Sequence, residues 1–229
     1  MKKSISLLTG LLLAVAAEAQ MRVNKFILPD GKEIGPDKLD SVKKAWNGER
    51  ILFQHNEEDD KNHVMHLLRM TPEMAKQLEE MGQKQRQAMQ AMRGQAAPDF
   101  TLKDLTGKSW TLSALKGKVA VLNFWFTSCP PCNAEMPELN KLVENYQGKD
   151  IVFLALTFND QNAVTGFLKE HRFAYTILPS SREVDKVYQV SSWPTSFVIG
   201  KDGKVAFAAN YDEHIFDLLN AVIDKAYRQ

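Results

Sequence analysis

The chain has 229 residues and a net charge of +1, with 44% apolar and 25% charged residues, a composition typical of ordinary globular protein. The near-neutral charge gives no electrostatic basis for binding nucleic acid or an anionic membrane. Two cysteines are too few for a disulfide framework, so we expect the pair to be present for its reactivity.

The first residues have the pattern of a secretory signal peptide. Lys2 and Lys3 form a basic start, residues 5–17 are apolar, and Ala-Glu-Ala at 17–19 fits a cleavage site. The apolar run is shorter than the roughly 20 residues of a membrane-spanning helix, and no cysteine nearby could carry a lipid. We therefore expect a signal peptide at 1–19, no stable membrane insertion, and export to a bacterial periplasm.

Residues 21–70 predict a small α+β region. The pattern favours strands at 26–28, 51–53 and 64–68, a helix at 37–46 and a polar loop at 56–62. About 50 residues are marginal for an independent core, so the region is expected to lean on the main domain or on a second copy. It is thus a candidate surface for a homodimer.

Histidines and acidic residues cluster around this polar loop, as His55, His63 and His66 among four carboxylates at 57–60. They are open to two interpretations, a metal site or a solvated acidic turn. Because the spacing matches no established ligand pattern, we favour the turn and predict no metal.

A helix is predicted over residues 71–95, linking this region to the next. Thr71 can cap it, Pro72 suits its first turn, and Gly94 can end it. Apolar residues recur at helical spacing, interrupted by Gln85: Met74, Leu78, Met81, Ala88 and Met92. We interpret this stripe as a packing face, against the main domain or a second chain, rather than as a copper site.

Residues 96–229 predict an α/β domain. A hairpin at 98–112 and a helical turn at 113–117 are followed by strands and helices in alternation. The strands are at 119–126, 151–157, 175–178, 197–199 and 205–208, and the helices are at 133–146, 161–171, 181–190 and 211–227. The alternation favours a parallel pairing of the first two strands.

The two cysteines follow the first of these strands, as Cys129-Pro130-Pro131-Cys132. Proline is well tolerated in a first helical turn, so the helix should begin at Cys129, whose thiolate would gain from free N–H groups and the helix dipole. We predict Cys129 to be exposed and Cys132 to be shielded. A zinc site would need two more ligands nearby, and a structural disulfide would close too small a loop, so we favour redox chemistry.

The stretch Asn-Phe-Trp-Phe-Thr-Ser-Cys-Pro-Pro-Cys at 123–132, with Glu135-Met136-Pro137 after it, resembles the active site of the TlpA/ResA/DsbE-like thioredoxin-fold proteins. The resemblance covers residues 97–229 and departs at Ser128, where the family usually has tryptophan. It implies a thioredoxin-like fold, in which helices flank a central mixed sheet, with an opening hairpin and a strand–helix insertion within 161–190.

The resemblance also implies roles for three residues beside the cysteines. Pro194 matches the cis-proline that faces the Cys pair, and Trp193, Pro194 and Thr195 are predicted to bind the substrate, with the Trp193 backbone aimed at a partner's strand. A trans proline that begins an edge strand is the alternative.

Glu135 is the predicted proton acceptor. It lies three residues after Cys132, on the same helix face, and the family has a glutamate of the active site at the matching position. Asn123 stands where thioredoxin proper has a buried aspartate, and an asparagine cannot take a proton. The alternative for Glu135 is an exposed helix residue.

Together these features predict an exported thiol–disulfide oxidoreductase without cofactors. Between its cysteines lie two prolines and no cation, which favours a reductant of disulfides in exported proteins, in cytochrome c maturation or a more general pathway. A membrane electron donor of the DsbD/CcdA type would keep it reduced. The alternatives are a binding adaptor without turnover and a thiol peroxidase, although Leu122 and Phe126 replace the proline and hydroxyl residue of a peroxiredoxin loop.

Overall fold

The computed structural model describes residues 23–47, 49–54 and 57–229, without the side chains of Glu57, Asp60 and Lys61. The predicted signal peptide at 1–19 lies outside the described residues. The chain divides into two compact units, one ending at Arg69 and one spanning Met70–Gln229. None of the helices in the described ranges is both long and apolar enough to cross a bilayer.

The first unit is a four-stranded sheet in the order β2-β1-β4-β3. Its strands are β1 (Lys25–Ile27), β2 (Glu33–Ile34), β3 (Ile51–Gln54) and β4 (Val64–Arg69), and its helices are α1 (Leu39–Ala45) and α2 (Glu57–Asn62). The core of this unit contains Phe26, Val42, Trp46 and Leu67. The helix and strands predicted here are confirmed, with Val42 and Trp46 on the inner face of α1.

The predicted polar loop at 56–62 is wrong, because α2 occupies most of it. A run of acidic residues at the start of a helix is favoured by the helix dipole, and Asn62 Nδ2 closes the last turn on the Glu58 carbonyl oxygen at 2.9 Å. Within the described part of the chain, no three His, Cys, Asp or Glu side chains are grouped so as to hold a metal ion.

The second unit is built on a five-stranded mixed sheet in the order β11-β10-β7-β8-β9, beside the hairpin β5-β6. The strands are β5 (Thr101–Lys103), β6 (Ser109–Thr111), β7 (Val119–Trp125), β8 (Ile151–Thr157), β9 (Thr176–Leu178), β10 (Thr195–Ile199) and β11 (Val205–Asn210). The helices are α3 (Pro72–Ala91), α4 (Pro130–Asn145), α5 (Gln161–Phe167), α6 (Arg182–Val187) and α7 (Ile215–Arg228). β7 runs parallel to β8, as predicted, and antiparallel to β10.

The central strand β7 is buried along its whole length because both faces of the sheet are covered. Val119, Val121 and Trp125 face a cluster that contains residues of α4, α5 and α7. Ala120, Leu122 and Phe124 face the opposite cluster, which includes Met89 of α3 and Val184 of α6. This is the predicted thioredoxin-like arrangement of a mixed sheet between helices.

Several predicted helices are shorter in the structure, and α3 ends at Ala91 rather than 95. α5 ends at Phe167 rather than 171, and α6 covers 182–187 rather than 181–190. Ser180 and Gln189, on either side of α6, have positive φ angles of 60° and 54°, which a right-handed helix cannot contain. α7 begins at Ile215 rather than 211, and before it the Asp212 carboxylate accepts a hydrogen bond from the His214 N–H at 2.7 Å in a local turn.

The helix α3 begins as predicted, with the Thr71 hydroxyl accepting a hydrogen bond from the Met74 N–H at 3.3 Å. Its predicted packing face is confirmed only in part, since Met92 of the predicted stripe packs against the core. Gln85 and Met89 are the buried residues of α3, whereas Leu78 and Met81, which the apolar pattern placed inward, are exposed. Gln85, Met89 and Met92 follow the i, i+4, i+7 spacing of one helix face. The residue that interrupts the apolar stripe therefore lies on the true inner face.

Two substitutions on α3 test which of its residues face the core. Met89 is 2% exposed, so Met89→Ala should lower the free energy of unfolding by about 2–5 kcal/mol, as cavity-forming methionine substitutions do. Met81 is 63% exposed, and Met81→Ala should change it by less than about 0.5 kcal/mol. Denaturant titration measures both, and equal losses would contradict the assigned face.

Candidate active site

The two cysteines lie just beyond the end of β7 and form a disulfide. Cys129 is the N-cap of α4, and its sulfur accepts a hydrogen bond from the Cys132 N–H at 3.2 Å. Pro130 and Pro131 occupy the first helical positions and have no N–H to offer. The helix start therefore stabilises negative charge on Cys129, with fewer donors than a helix without prolines would supply.

The predicted exposure of Cys129 is wrong in this oxidised form. Cys129 is 1% exposed and Cys132 is 2% exposed. Both belong to the cluster that contains Trp125 and Met136, and the half-buried Trp193 packs against that cluster. Exposure therefore does not distinguish the two sulfurs here, and the difference between them is the position of Cys129 at the helix start.

Glu135 is buried on the inner face of α4, together with Cys132 and Met136, and is 3% exposed. The alternative of an exposed helix residue is thereby excluded. Its Oε1 accepts a hydrogen bond from the Asp212 N–H at 3.0 Å, while its Oε2 has no hydrogen-bond partner among the residues that the structure describes. This carboxylate has an oxygen available for a proton.

Burial is the main reason why the pKa of Glu135 is raised from 4.5 to about 7. The hydrogen bond from the Asp212 N–H opposes this shift, and the negative charge of Asp212 adds to it. A carboxyl group with a pKa near neutral pH can both take up and release a proton under physiological conditions. Glu135 thus has the properties of a general base.

Two further side chains in the cluster around the disulfide have buried polar atoms without a hydrogen-bond partner in the described ranges, the Tyr175 hydroxyl and Trp125 Nε1. Burial, and then the charge of Glu135, raise the pKa of Tyr175. Neither Tyr175 nor Asp212 could be predicted as a neighbour of Glu135, because both come from distant elements. Asn123 of β7, whose amide does not titrate, donates a hydrogen bond to the Ser196 hydroxyl at 3.1 Å.

The loop before β10 lies at the same sheet edge as the disulfide. Thr195 pairs with Phe124 of β7, and since the strands are antiparallel, the residues before Thr195 lie beside those after Phe124. The Trp193–Pro194 bond is cis, so the trans alternative is wrong. The Thr195 hydroxyl donates to the Ser192 carbonyl oxygen at 2.7 Å. The structure thus brings the loop 193–195 to the end of β7 that carries the cysteines.

Three half-buried aromatic side chains from three loops meet near this edge, and we call Phe126, Phe158 and Trp193 the aromatic triad. Their ring centroids are 5.3–5.8 Å apart. The Arg182 guanidinium lies 4.0 Å from the Phe158 centroid, within cation–π range. An aromatic surface is therefore present where the loops after β7 and after β8 meet the loop before β10.

The pKa of Glu135 makes the stability of the oxidised protein depend on pH. The unfolded chain releases this proton near pH 4.5 and the folded chain near pH 7, so the free energy of unfolding should fall by roughly 3 kcal/mol as the pH rises through this window. Glu135→Gln should remove that fall, whereas Glu138→Gln, which removes a surface ion pair with Lys141, should keep it. Denaturant titrations from pH 4 to 8 measure the profiles, and parallel profiles for wild type and Glu135→Gln would contradict the assignment.

Comparison with curated proteins identifies relatives of the second unit. Thiol-disulfide oxidoreductase ResA of Bacillus thuringiensis subsp. konkukian (strain 97-27) is 41% identical over 114 residues, which cover 49% of this chain and 66% of that protein. Thioredoxin-like protein YneN of Bacillus subtilis (strain 168) is 35% identical over 116 residues, which cover 49% of this chain and 68% of that protein. The chain thus spans about two thirds of the length of these relatives.

Comparison with solved structures agrees. One solved crystal structure is that of a protein from Chlorobium tepidum with the provisional name thiol:disulfide interchange protein DsbE. It superposes with a TM-score of 0.55 at 28% identity, and the match covers 59% of this chain and 97% of that chain. The resemblance to ResA and DsbE-like proteins is confirmed. The model of the AhpC/TSA family matches residues 93–208, about half of the sequence, and the chain therefore belongs to that family.

Proposed function

We propose that this protein is an exported thiol–disulfide oxidoreductase that reduces disulfides in other exported proteins through Cys129 and Cys132. The observation that carries the proposal is a Cys pair at the start of α4 with a buried carboxylate of raised pKa on the same helix face. The names of the relatives with 35–41% identity, which include thiol-disulfide oxidoreductases, support the same chemistry.

In the proposed reaction, the reduced pair transfers two electrons to a partner disulfide. The Cys129 thiolate attacks one partner sulfur, which forms a mixed disulfide and releases the other partner sulfur as a thiolate. Cys132, once deprotonated, attacks the Cys129 sulfur. The bond to the partner breaks, the second partner thiolate leaves, and the Cys129–Cys132 disulfide of the structure is formed.

Glu135 takes the proton from Cys132 in the second step of this proposal. Its unpartnered Oε2 is the atom that would accept the proton, directly or through a water molecule. The pKa near 7 keeps much of the group ionised at neutral pH and lets it return the proton later. Asn123 offers no competing base, because a side-chain amide does not take up a proton at neutral pH.

The partner docks on the loop that contains Trp193, Pro194 and Thr195. This loop shares the sheet edge with the disulfide, and Trp193 belongs to the aromatic triad. An extended segment that pairs with the Trp193 backbone would bring its sulfur toward Cys129 while its apolar side chains contact the triad.

The direction of electron flow follows from how far the fold stabilises the Cys129 thiolate. The helix dipole and the Cys132 N–H stabilise it. Against this, the two prolines remove donors, no cation lies between the cysteines, and an ionised Glu135 on the same helix face would raise the thiol pKa by repulsion. Moderate stabilisation favours a reductant.

A reductant in an oxidising compartment requires a supply of electrons, for which we propose a membrane donor of the DsbD/CcdA type. Export by the signal peptide at 1–19 would place the protein in the periplasm. Reduction of cytochrome c precursors before haem attachment is one pathway that fits, and the region 21–70 with the linking helix is proposed to set partner choice or to pair two chains.

The first test of this proposal is insulin reduction by dithiothreitol. The wild type should accelerate it, both Cys129→Ser and Cys132→Ser should abolish the acceleration, and Cys132→Ser should accumulate mixed disulfides. No acceleration by the wild type would favour the adaptor without turnover, and Cys129-dependent consumption of hydroperoxide would favour the peroxidase.

The same variants test the asymmetry of the pair. Because Cys129 lies at the helix start, reduced Cys132→Ser should react with iodoacetamide near neutral pH about tenfold faster or more than reduced Cys129→Ser. Similar rates for the two variants would contradict the helix-start argument.

The reduction potential tests the direction of electron flow separately. Equilibration of the pair against a glutathione buffer should give a potential at or below about −220 mV, as expected for a reductant. A value near −120 mV, typical of a strong oxidant, would overturn this part of the proposal.

A further inference from the structure

Gln85, on the inner face of α3, is one of the buried polar side chains that the proposed chemistry does not use. It lies on the same helix face as Met89 and Met92, which pack against the core. A buried primary amide is costly unless its donors and acceptors are satisfied. The hydrogen bonds of Gln85 therefore indicate the role of this side chain.

Gln85 is matched to two consecutive residues of the loop that precedes the cis-proline. In the amide orientation that satisfies all of its neighbours, its oxygen accepts from the N–H groups of Ser191 at 2.9 Å and Ser192 at 3.2 Å. Its nitrogen donates to the hydroxyls of Ser191 and Ser192, at 3.1 Å each. One side chain thus holds two backbone and two side-chain groups.

These contacts extend directly to the predicted docking residues. Asn210 of β11 donates to the Ser192 hydroxyl and to the Thr195 hydroxyl, at 2.8 Å each. Thr195 in turn donates to the Ser192 carbonyl oxygen at 2.7 Å. The loop is therefore held between α3 on one side and β11 on the other, with Trp193 and Pro194 between the fixed residues.

We infer that Gln85 is a positioning residue that holds the loop 191–195 in the geometry that binds the partner, so that α3 contributes to substrate binding without contacting the sulfurs. The inference rests on the proposed function for its kinetic consequence, but not for the geometry. Gln85 lies before residues 93–208, which the family model matches. The hydrogen bonds from Gln85 to the loop therefore come from outside the part of the chain that the family model covers.

The test uses the full chain with Gln85→Met, which keeps the side-chain volume in an apolar cluster but removes the amide. Gln87→Met is the matched control, since Gln87 is an exposed glutamine two residues further along α3. Loss of the acceptor should speed hydrogen exchange of the Ser191 and Ser192 amides about tenfold in Gln85→Met, with no change in Gln87→Met. Gln85→Glu, which keeps an acceptor for both N–H groups, should restore most of the protection.

The kinetic arm measures insulin reduction against insulin concentration, with a small aromatic disulfide as the reference substrate. Gln85→Met should raise KM for insulin about tenfold, with kcat and the rate with the small disulfide within about twofold of the wild type. An equal fall with both substrates would overturn the inference, because it would indicate damage to the Cys pair itself. Unchanged amide exchange or an unchanged KM would also overturn it.

The exchange measurement needs no turnover. A wild type that does not reduce insulin would overturn the proposed function, and the exchange of Ser191 and Ser192 would still decide whether Gln85 holds the loop. The two failures are therefore distinguishable.

Discussion

The burial of β7 on both faces is the constraint on which the rest of the second unit depends. Alternate side chains of this strand enter two separate clusters, so a shift by one residue would exchange its entire set of contacts. With the register fixed, the strand delivers Cys129 to one sheet edge, and its pairing with β10 delivers the cis-proline loop to the same edge. The position of the site thus depends on packing along the whole strand, and not only on the residues next to its reacting atoms.

Buried polar atoms near the disulfide lower the free energy of unfolding. Glu135 Oε2, the Tyr175 hydroxyl and Trp125 Nε1 are buried without hydrogen-bond partners among the described residues, and such atoms each cost about 1–3 kcal/mol. An apolar residue at 135 would remove part of this cost. Local rules are expected to fail where function requires it, and these three atoms lie on residues near the disulfide, while Asp185 Oδ2 on α6 is a further buried atom without a partner among the described residues.

Prediction from the sequence worked where the controlling contacts are local. The apolar runs of β7 and β8, the cap at Thr71 and the prolines after Cys129 each carry their own structural meaning, and the elements they predicted are present. It failed where a distant element decides. The exposure of Leu78 and Met81 could not be predicted from apolar spacing, and the burial of Gln85 depends on a loop more than a hundred residues away. The exposure of Cys129 likewise depends on packing partners that the motif does not contain.

In the proposed function, different parts of the second unit control the reactivity of the cysteines and the binding of a partner. In this proposal, the reactivity of the sulfurs is set by the start of α4 and by Glu135, whose own pKa depends on burial and on Asp212. The surface that we propose for a partner comes from the loops after β7, after β8 and before β10, which meet in the aromatic triad. Because these loops meet at one edge, an aromatic surface can persist although Ser128 itself offers none. Changes in the loops can therefore alter the partner while the redox pair and its base remain the same.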